Sequence, residues 1–292
     1  MRLLRLQNPN MSGPDVSDWQ TFLKSRGVLH GLADGVFGPK SDQATRAYQN
    51  AAGLTPDGIV GATCLAQAVT DGYQSTTGAN LAGMDASVDC SPFVDQIAGA
   101  GINFAARYYS DSAAKTLTPS EARSLSQAGV SIVAVFEDFN NSIDRFSAAI
   151  GAQHAAKALE LAAATGQSPG TAIYFAVDFN PVQAEVKGPV TGYFTAVRDA
   201  FAGAAVEYAI GVYGSGLVCR LIRDAGLAKF TWLSQSTGFF EYSSFRAQAD
   251  VVQLAPERVA FGGLQIDDNI AQSAEFGAFR VAQAQPASGV PT

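Results

Sequence analysis

Several residue types are scarce in this chain of 292 residues, and each shortage excludes a class of protein. Three cysteines are too few and too scattered for a disulfide framework or a cysteine-based zinc site. Only two histidines are present, His30 and His154, whereas a zinc hydrolase usually draws two or three ligands from histidine. Charged residues make up 15% of the chain against 47% hydrophobic residues, which excludes a disordered protein or a coiled coil.

Long apolar runs are missing as well. No stretch approaches the roughly 18 apolar residues of a membrane span, and the start of the chain has no signal-peptide core, so we expect no membrane partner. The formal net charge of −7 would repel the phosphates of a nucleic acid, so we expect no such partner either. We expect neither a metal nor an organic cofactor, and we expect a monomer.

The chain divides into two parts near residues 71–82, DGYQSTTGANLA, a composition typical of a linker or a surface loop. The first 75 residues carry six basic and six acidic side chains, so the net negative charge belongs to the larger part. We predict a first domain at 1–72, a linker at 73–82 and a second domain at 83–292.

The small part contains an internal repeat, in which DGVFG at 34–38 recurs 23 residues later as DGIVG at 57–61. Each copy predicts a turn, because glycine accepts positive φ and aspartate can bond the backbone ahead of it. Apolar spacing predicts one helix before the first copy, one between the copies, and a short third helix at 63–69. Such a three-helix bundle could serve packing alone.

The segments DVSDWQTFLKSRG and ADGVFGPKSDQATRAYQNAAGLTPDGIVG resemble the peptidoglycan-binding domain type 1. Trp19 replaces the usual leucine of that family and Tyr48 the usual phenylalanine. The resemblance covers residues 12–70 and implies a three-helix module that docks on bacterial cell-wall peptidoglycan. Its turns supply the candidate contacts with the wall, for which a structural role is the alternative: Asp34, Phe37 and Asp57.

The large part alternates between predicted strands and predicted helices. Several strands, such as SIVAVF and TAIYFAV, are continuous apolar runs, as expected for parallel strands buried on both faces. Eight strands interleaved with helices predict an α/β fold, a (β/α)₈ TIM-like barrel, with an open doubly wound sheet as the alternative. The predicted strands are 82–87, 102–109, 130–138, 171–178, 207–213, 230–235, 250–254 and 263–267.

In a barrel of this kind, catalytic groups sit at the carboxyl ends of the strands. Carboxylates follow four of the eight predicted strands, and the candidates are Asp85, Glu137, Asp178 and Asp267. Alternation along a strand places Asp178 on the barrel axis together with Tyr174, and Glu137 on the same face as Val135.

Converging carboxylates have three uses: they can bind Mg²⁺ or Ca²⁺, form a structural network with a cation such as Arg107, or catalyse glycoside hydrolysis. Spacing alone leaves all three open. Aromatic and amide side chains near the strand ends favour a sugar ligand, although core packing explains each ring singly. These candidates are Tyr108, Tyr213, Trp232 and Gln235.

The segments GMDAS, RYYSDSAAKTLTPSEARSLSQAGVSIVAVFED, GTAIYFAVDFN and GGLQIDDNIA resemble a glycoside-hydrolase-like domain of unknown function, a distant relative of glycoside hydrolase family 25 muramidases. The resemblance covers residues 82–270. It implies that Asp85 and Asp178 match the two aspartates of family 25, and that Asp267 matches its terminal D-x-N. The usual proton donor, the glutamate of D-x-E, falls on Asn180, which cannot donate a proton; we expect Asn180 to bind substrate and Glu137 to be the acid.

Together the two resemblances imply a peptidoglycan hydrolase that cleaves the glycan strand as a muramidase, with a module order similar to that of a bacteriophage endolysin. We expect such a protein to wait in the cytoplasm of the bacterial host and to reach the wall at lysis. The alternatives are a wall-binding protein without catalysis, supported by Asn180, and a peptidoglycan amidase that pairs His154 with Cys90 or Cys219.

Overall fold

The structure is a computed structural model and describes residues 4–73 and 81–282. Within those residues, no helix is both long and apolar enough to cross a membrane. The predicted linker lies mostly at 74–80, outside the described residues, so the predicted domain boundaries stay a prediction.

The first module is the predicted three-helix bundle. Its helices are α1 (Pro14–Ser25), α2 (Pro39–Ala51) and α3 (Ala62–Thr70). A two-residue ladder joins β1 (Met11–Ser12) to β2 (Val36–Phe37). The core is aromatic, with the ring of Trp19 5.2 Å from that of Phe22 and 5.8 Å from that of Tyr48.

Each repeated turn is held by a glutamine on the helix that precedes it in the chain. Gln20 of α1 donates to the Asp34 carboxylate and accepts from the Gly35 amide, both at 2.8 Å. Gln49 of α2 repeats both bonds, also at 2.8 Å, with the aspartate and the glycine of the second turn. The repeated residues therefore stabilise the turns, and each Asp side chain is hydrogen-bonded within the module.

The second module is a closed barrel of eight strands, which confirms the predicted fold class. All eight predicted strands are present: β3 (Leu81–Asp85), β4 (Phe104–Tyr109), β5 (Ser131–Phe136), β6 (Ala172–Ala176), β7 (Ala209–Gly214), β8 (Phe230–Leu233), β9 (Val251–Ala260) and β10 (Leu264–Ala271). Helices fill the connections from β3 to β9: α4 (Val94–Gly99), α5 (Pro119–Gln127), α6 (Ala148–Thr165), α7 (Gln183–Glu185), α8 (Thr191–Ala202), α9 (Gly216–Asp224) and α10 (Tyr242–Phe245).

The last strand departs from the regular pattern. Strands β3 to β9 are parallel, whereas β10 runs antiparallel to both β9 and β3. Only residues 261–263 separate β9 from β10, and a turn that short leaves no room for the crossover a parallel strand needs. All three residues of this turn have positive φ, at 52°, 81° and 141°.

Residues 272–282, the described part of the chain after β10, form no helix, and α3 of the first module packs against β3 and β10. The apolar core of the module is accordingly continuous with the layer between the barrel and its helices. The barrel interior forms a separate apolar cluster that includes Val135, Tyr174 and Trp232, as strand alternation predicted for Tyr174 and Val135.

Candidate active site

A cleft opens at the carboxyl ends of the parallel strands. Its inner arm is a cavity of about 220 Å³, and an outer arm of about 550 Å³ adjoins it. Lys115, Glu137 and Asp178 line both arms, so they lie where the two meet. The inner arm is also lined by Tyr108, Val135, Tyr213, Trp232, Gln235, Ser236, Gln253 and Asp267.

Asp85 and Asp267 form the floor of this site. Asp85 is buried at the end of β3 and accepts hydrogen bonds from Tyr108 Oη at 3.2 Å, Gln253 Nε2 at 2.9 Å and Asn269 Nδ2 at 2.7 Å. Asp267 lies opposite Asp85 on β10 and accepts from the same Gln253 nitrogen at 3.2 Å. Four of the expected carboxylates thus converge on one mouth, with Asp267 in the middle of a reversed strand and not at the end of a parallel one.

Burial raises the pKa values of both floor carboxylates. It raises the pKa of Asp85 to about 7, with help from the negative charge of Asp267. Burial also raises the pKa of Asp267 to about 6, against the hydrogen bond from Gln235, which lowers it. Near neutral pH the pair therefore carries less than its full negative charge.

Glu137 and Asp178 follow neighbouring parallel strands, β5 and β6. Burial raises the pKa of Glu137, while Lys115 Nζ, 3.1 Å from its carboxylate, lowers it; the charge of Asp178 raises it further. Asp178 is exposed to the cleft, but the surrounding walls remove enough water to raise its pKa too, again opposed by Lys115. The two carboxylates are close enough to influence each other.

The expected sugar-binding rings are all at the site but differ in accessibility. Trp232 is 1% exposed and its indole nitrogen donates to Asn269 at 2.9 Å, so its ring belongs to the floor. Tyr213 and Tyr108 are partly exposed, and Lys115 sits 4.1 Å above the Tyr108 ring. Gln235 donates to Asp267 at 3.1 Å.

Two expectations about substrate contacts are corrected. Asn180 does not line either arm; its side-chain oxygen accepts from the Phe240 amide at 2.9 Å and fixes the loop after β8. Phe37 is fully buried in the first module, so it cannot touch the wall. Asp34 and Asp57 are engaged by the glutamines and by backbone amides of their own turns.

Sequence reasoning missed Gln253 and Lys115, and it gave Asn269 only as the last residue of the D-x-N motif, without a role in the site. Gln253 connects both floor aspartates, and its side-chain oxygen accepts from Tyr213 Oη at 2.9 Å. It lies within β9, where a single polar residue in the apolar run VVQL was the available signal. Lys115 comes from the loop after β4, and no local pattern indicates that this loop returns over the cleft.

The cysteine and histidine side chains are not arranged for nucleophilic catalysis. His154 Nδ1 bonds Tyr193 Oη at 2.9 Å, and its ring packs 4.7 Å from that of Phe136. Cys90 and Cys219 are buried, with sulfur contacts to backbone carbonyls. Throughout residues 4–73 and 81–282, no group of three His, Cys, Asp or Glu side chains has metal-binding geometry.

Family comparisons agree with this architecture. Residues 95–271, more than half of the chain, match the family described as "Rv2525c-like, glycoside hydrolase-like domain", and the chain belongs to that family. Residues 12–67 match the family described as "Putative peptidoglycan binding domain". The protein therefore joins a peptidoglycan-binding module to a glycoside hydrolase-like barrel.

Individual relatives cover different parts of the chain. The "Putative peptidoglycan hydrolase Rv2525c" of Mycobacterium tuberculosis is 28% identical over 191 residues, covering 62% of this chain and 77% of that protein. The crystal structure of the Tat-secreted Rv2525c with L-tartrate has a TM-score of 0.58 at 26% identity, covering 70% of this chain and 99% of that one. "Uncharacterized protein YbfG" of Bacillus subtilis is 34% identical over 118 residues, 38% of this chain, and the match spans 16% of YbfG.

Proposed function

We propose that this protein hydrolyses the glycan strand of bacterial peptidoglycan as a muramidase, cutting between N-acetylmuramic acid and N-acetylglucosamine. The observation that carries the proposal is the convergence of Glu137 and Asp178 where the two arms of the cleft meet. A polymer lying along both arms would place one of its linkages over this pair. The module order also fits an endolysin released to the wall of its host, which is the biological setting we propose.

The acid and the base are assigned by environment. Glu137 is the general acid, since burial raises its pKa and favours a proton that can pass to the leaving sugar oxygen. Asp178 is more exposed to the cleft and acts ionised, as nucleophile, base or stabiliser of the oxocarbenium-like transition state. Asp85 and Asp267 position substrate from below through the network around Gln253.

The first module supplies attachment. A second binding site on the same chain raises the effective concentration of the barrel at the wall without contributing to chemistry. The relative Rv2525c bears the name "Putative peptidoglycan hydrolase", and the family that matches the first module names the same polymer. Peptidoglycan is therefore the partner that both modules share in this proposal.

Digestion of purified wall tests the reaction. The full chain should release fragments with new reducing sugar ends and no new amines, whereas an amidase would release amines. Glu137→Gln removes the labile proton and should slow lysis by roughly 10²–10⁴-fold. Asp178→Asn should have a comparable effect, while the exposed Glu207→Gln serves as the matched control and should retain activity.

Wall binding without cleavage is a second candidate, because Asn180 stands where family 25 muramidases carry the glutamate proton donor and an amide cannot act as that acid. That candidate predicts that the wild-type chain sediments with wall and releases no fragments. Full activity in both Glu137→Gln and Asp178→Asn would instead show cleavage by a mechanism other than the one proposed.

A further inference from the structure

A groove of about 500 Å³ lies between the first module and the β9–β10 hairpin, outside the catalytic cleft. The module contributes one side, from the second repeated turn and the residues that flank it. The hairpin contributes the other side, from Leu254 to Arg258 and from Asp268. Its volume falls in the range of a ligand site, about 300–1,000 Å³.

Arg258 ties the two sides together. Its guanidinium makes two parallel bonds to the Asp268 carboxylate, at 2.7 and 2.8 Å, and also donates to Thr63 Oγ1 of α3 at 2.8 Å. A forked Arg–carboxylate pair of this kind fixes geometry as well as energy. The bond from Arg258 to Thr63 thus joins the two sides of the groove.

The lining chemistry differs from that of the cleft. The cleft presents the rings of Tyr108, Tyr213 and Trp232, whereas no aromatic side chain lines the groove among the described residues. The groove instead offers aliphatic side chains, which include Leu54, Ile59, Leu254 and Pro256, and the exposed side chain of Arg5. Its two lining acids are engaged: Asp57 accepts from Gln49, and Asp268 is paired with Arg258.

These features suit a peptide better than a sugar. Aliphatic walls bind small apolar side chains, and a guanidinium recognises a carboxylate. Because no ring is available to stack on a pyranose face, the groove lacks the feature that makes the cleft suitable for glycan.

We propose that the groove binds the stem peptide of peptidoglycan, with a free carboxylate of that peptide at Arg5 and its alkyl side chains against the aliphatic wall. This inference rests on the proposed function, because it assumes that the wall is the polymer bound. Asp267 faces the cleft and the adjacent Asp268 faces the groove, so one strand separates the two sites. The protein would thus bind glycan on one face of β10 and peptide on the other.

Binding of sugar-free stem peptide to the full chain tests the proposal. Calorimetry or NMR titration should show saturable binding that shifts groove resonances such as the amides of Leu54 and Ile59. Amidation of the peptide carboxylates and Arg5→Gln should each weaken binding about tenfold, the low end for a charge-assisted bond at an exposed site. A GlcNAc oligosaccharide should shift cleft resonances and leave the groove unchanged.

Matched variants separate local effects from changes in net charge. Thr55→Glu places a negative charge in the exposed lining of the groove and should weaken peptide binding at least as much as Arg5→Gln. The exposed Ala184→Glu on α7 and Arg198→Gln on α8 change the net charge equally elsewhere and should bind like wild type. Circular dichroism of each variant checks that it folds.

The proposal is overturned if the stem peptide does not bind, if its amidated form binds equally well, or if Thr55→Glu and Arg5→Gln bind like wild type. Failure of the catalytic proposal is distinguishable, because Glu137→Gln should bind the stem peptide with unchanged affinity. Activity retained in Glu137→Gln would refute the acid without touching the groove.

Discussion

Asp85 and Asp267 face each other across the antiparallel strands β3 and β10, and the side-chain amide of Gln253 donates to both carboxylates. One nitrogen thus bridges two acids whose pKa values are raised by burial, and the charge of Asp267 raises that of Asp85 further. The arrangement exists because the final strand is reversed. It makes the floor of the cleft a source of pH dependence in stability.

The first prediction concerns that pH dependence. The pKa of Asp85 is about 7 when folded and near 3.8 when unfolded, so the folded state holds its proton more tightly. Its contribution to stability is complete below about pH 4 and is lost as the pH rises to about 7. Asp85→Asn cannot ionise and should lose less stability over this window, by up to about 4 kcal/mol. Urea unfolding at pH 4 and pH 8 gives the free energy of unfolding that each protein loses between the two pH values. An equal loss in the wild type and in Asp85→Asn would contradict the prediction.

The second prediction concerns Lys115. This cation lowers the pKa of Glu137, so Lys115→Met should raise that pKa. If Glu137 is the acid, the alkaline limb of the pH–rate profile should move to higher pH, because the acid keeps its proton longer. Rates of wall solubilisation from pH 5 to 9 give the profile. Lys187→Met, at an exposed position, is the control and should leave the pH–rate profile unchanged. If Lys115→Met does not shift the alkaline limb of the profile, Glu137 is not the acid.

The third prediction concerns the contact between α6 and α8. A Cβ on Gly151 of α6 would lie 2.4 Å from the Tyr193 carbonyl oxygen of α8, a backbone atom that cannot move aside alone. Gly151→Ala should destabilise the protein by about 1–3 kcal/mol through overpacking. Gly192→Ala, in open space on α8, should instead stabilise it by about 0.5–1 kcal/mol. Thermal unfolding compares the two, and a stabilised Gly151→Ala would refute the close packing.

The fourth prediction concerns a buried ion pair on the outer face of β4. Arg107 Nε and the Glu121 carboxylate are 2.5 Å apart, and both side chains are fully buried. The same guanidinium donates to the Ala86 carbonyl, which ties it to the chain after β3 and not to the cleft. Glu121→Ala leaves an uncompensated buried charge and should cost about 3–5 kcal/mol.

The double variant Arg107→Met/Glu121→Ala checks this reasoning. It removes both charges, so it should be more stable than Glu121→Ala alone. Denaturant unfolding of the two variants gives the comparison. A double variant less stable than the single one would show that packing around Arg107, and not its charge, dominates.

The sequence alone identified both modules and every strand of the barrel. Turn residues and apolar runs favour a local backbone conformation. DGVFG therefore predicts a turn and SIVAVF a buried strand without knowledge of distant partners. The same local logic placed Tyr174 inside the barrel and brought Glu137 and Asp178 to one mouth, because adjacent parallel strands end on the same side.

Tertiary structure decided what depends on distant partners. Phe37 was expected to contact the wall, but it is buried in the core of the first module. Asn180 was expected to bind substrate, but its side-chain oxygen accepts from the Phe240 amide. Lys115 and Gln253 reach the cleft from segments far apart in the chain. The reversal of β10, which sets Asp267 against Asp85, depends on how the barrel closes. Residue patterns record local preference, whereas these contacts arise only when strands remote in sequence pair in space.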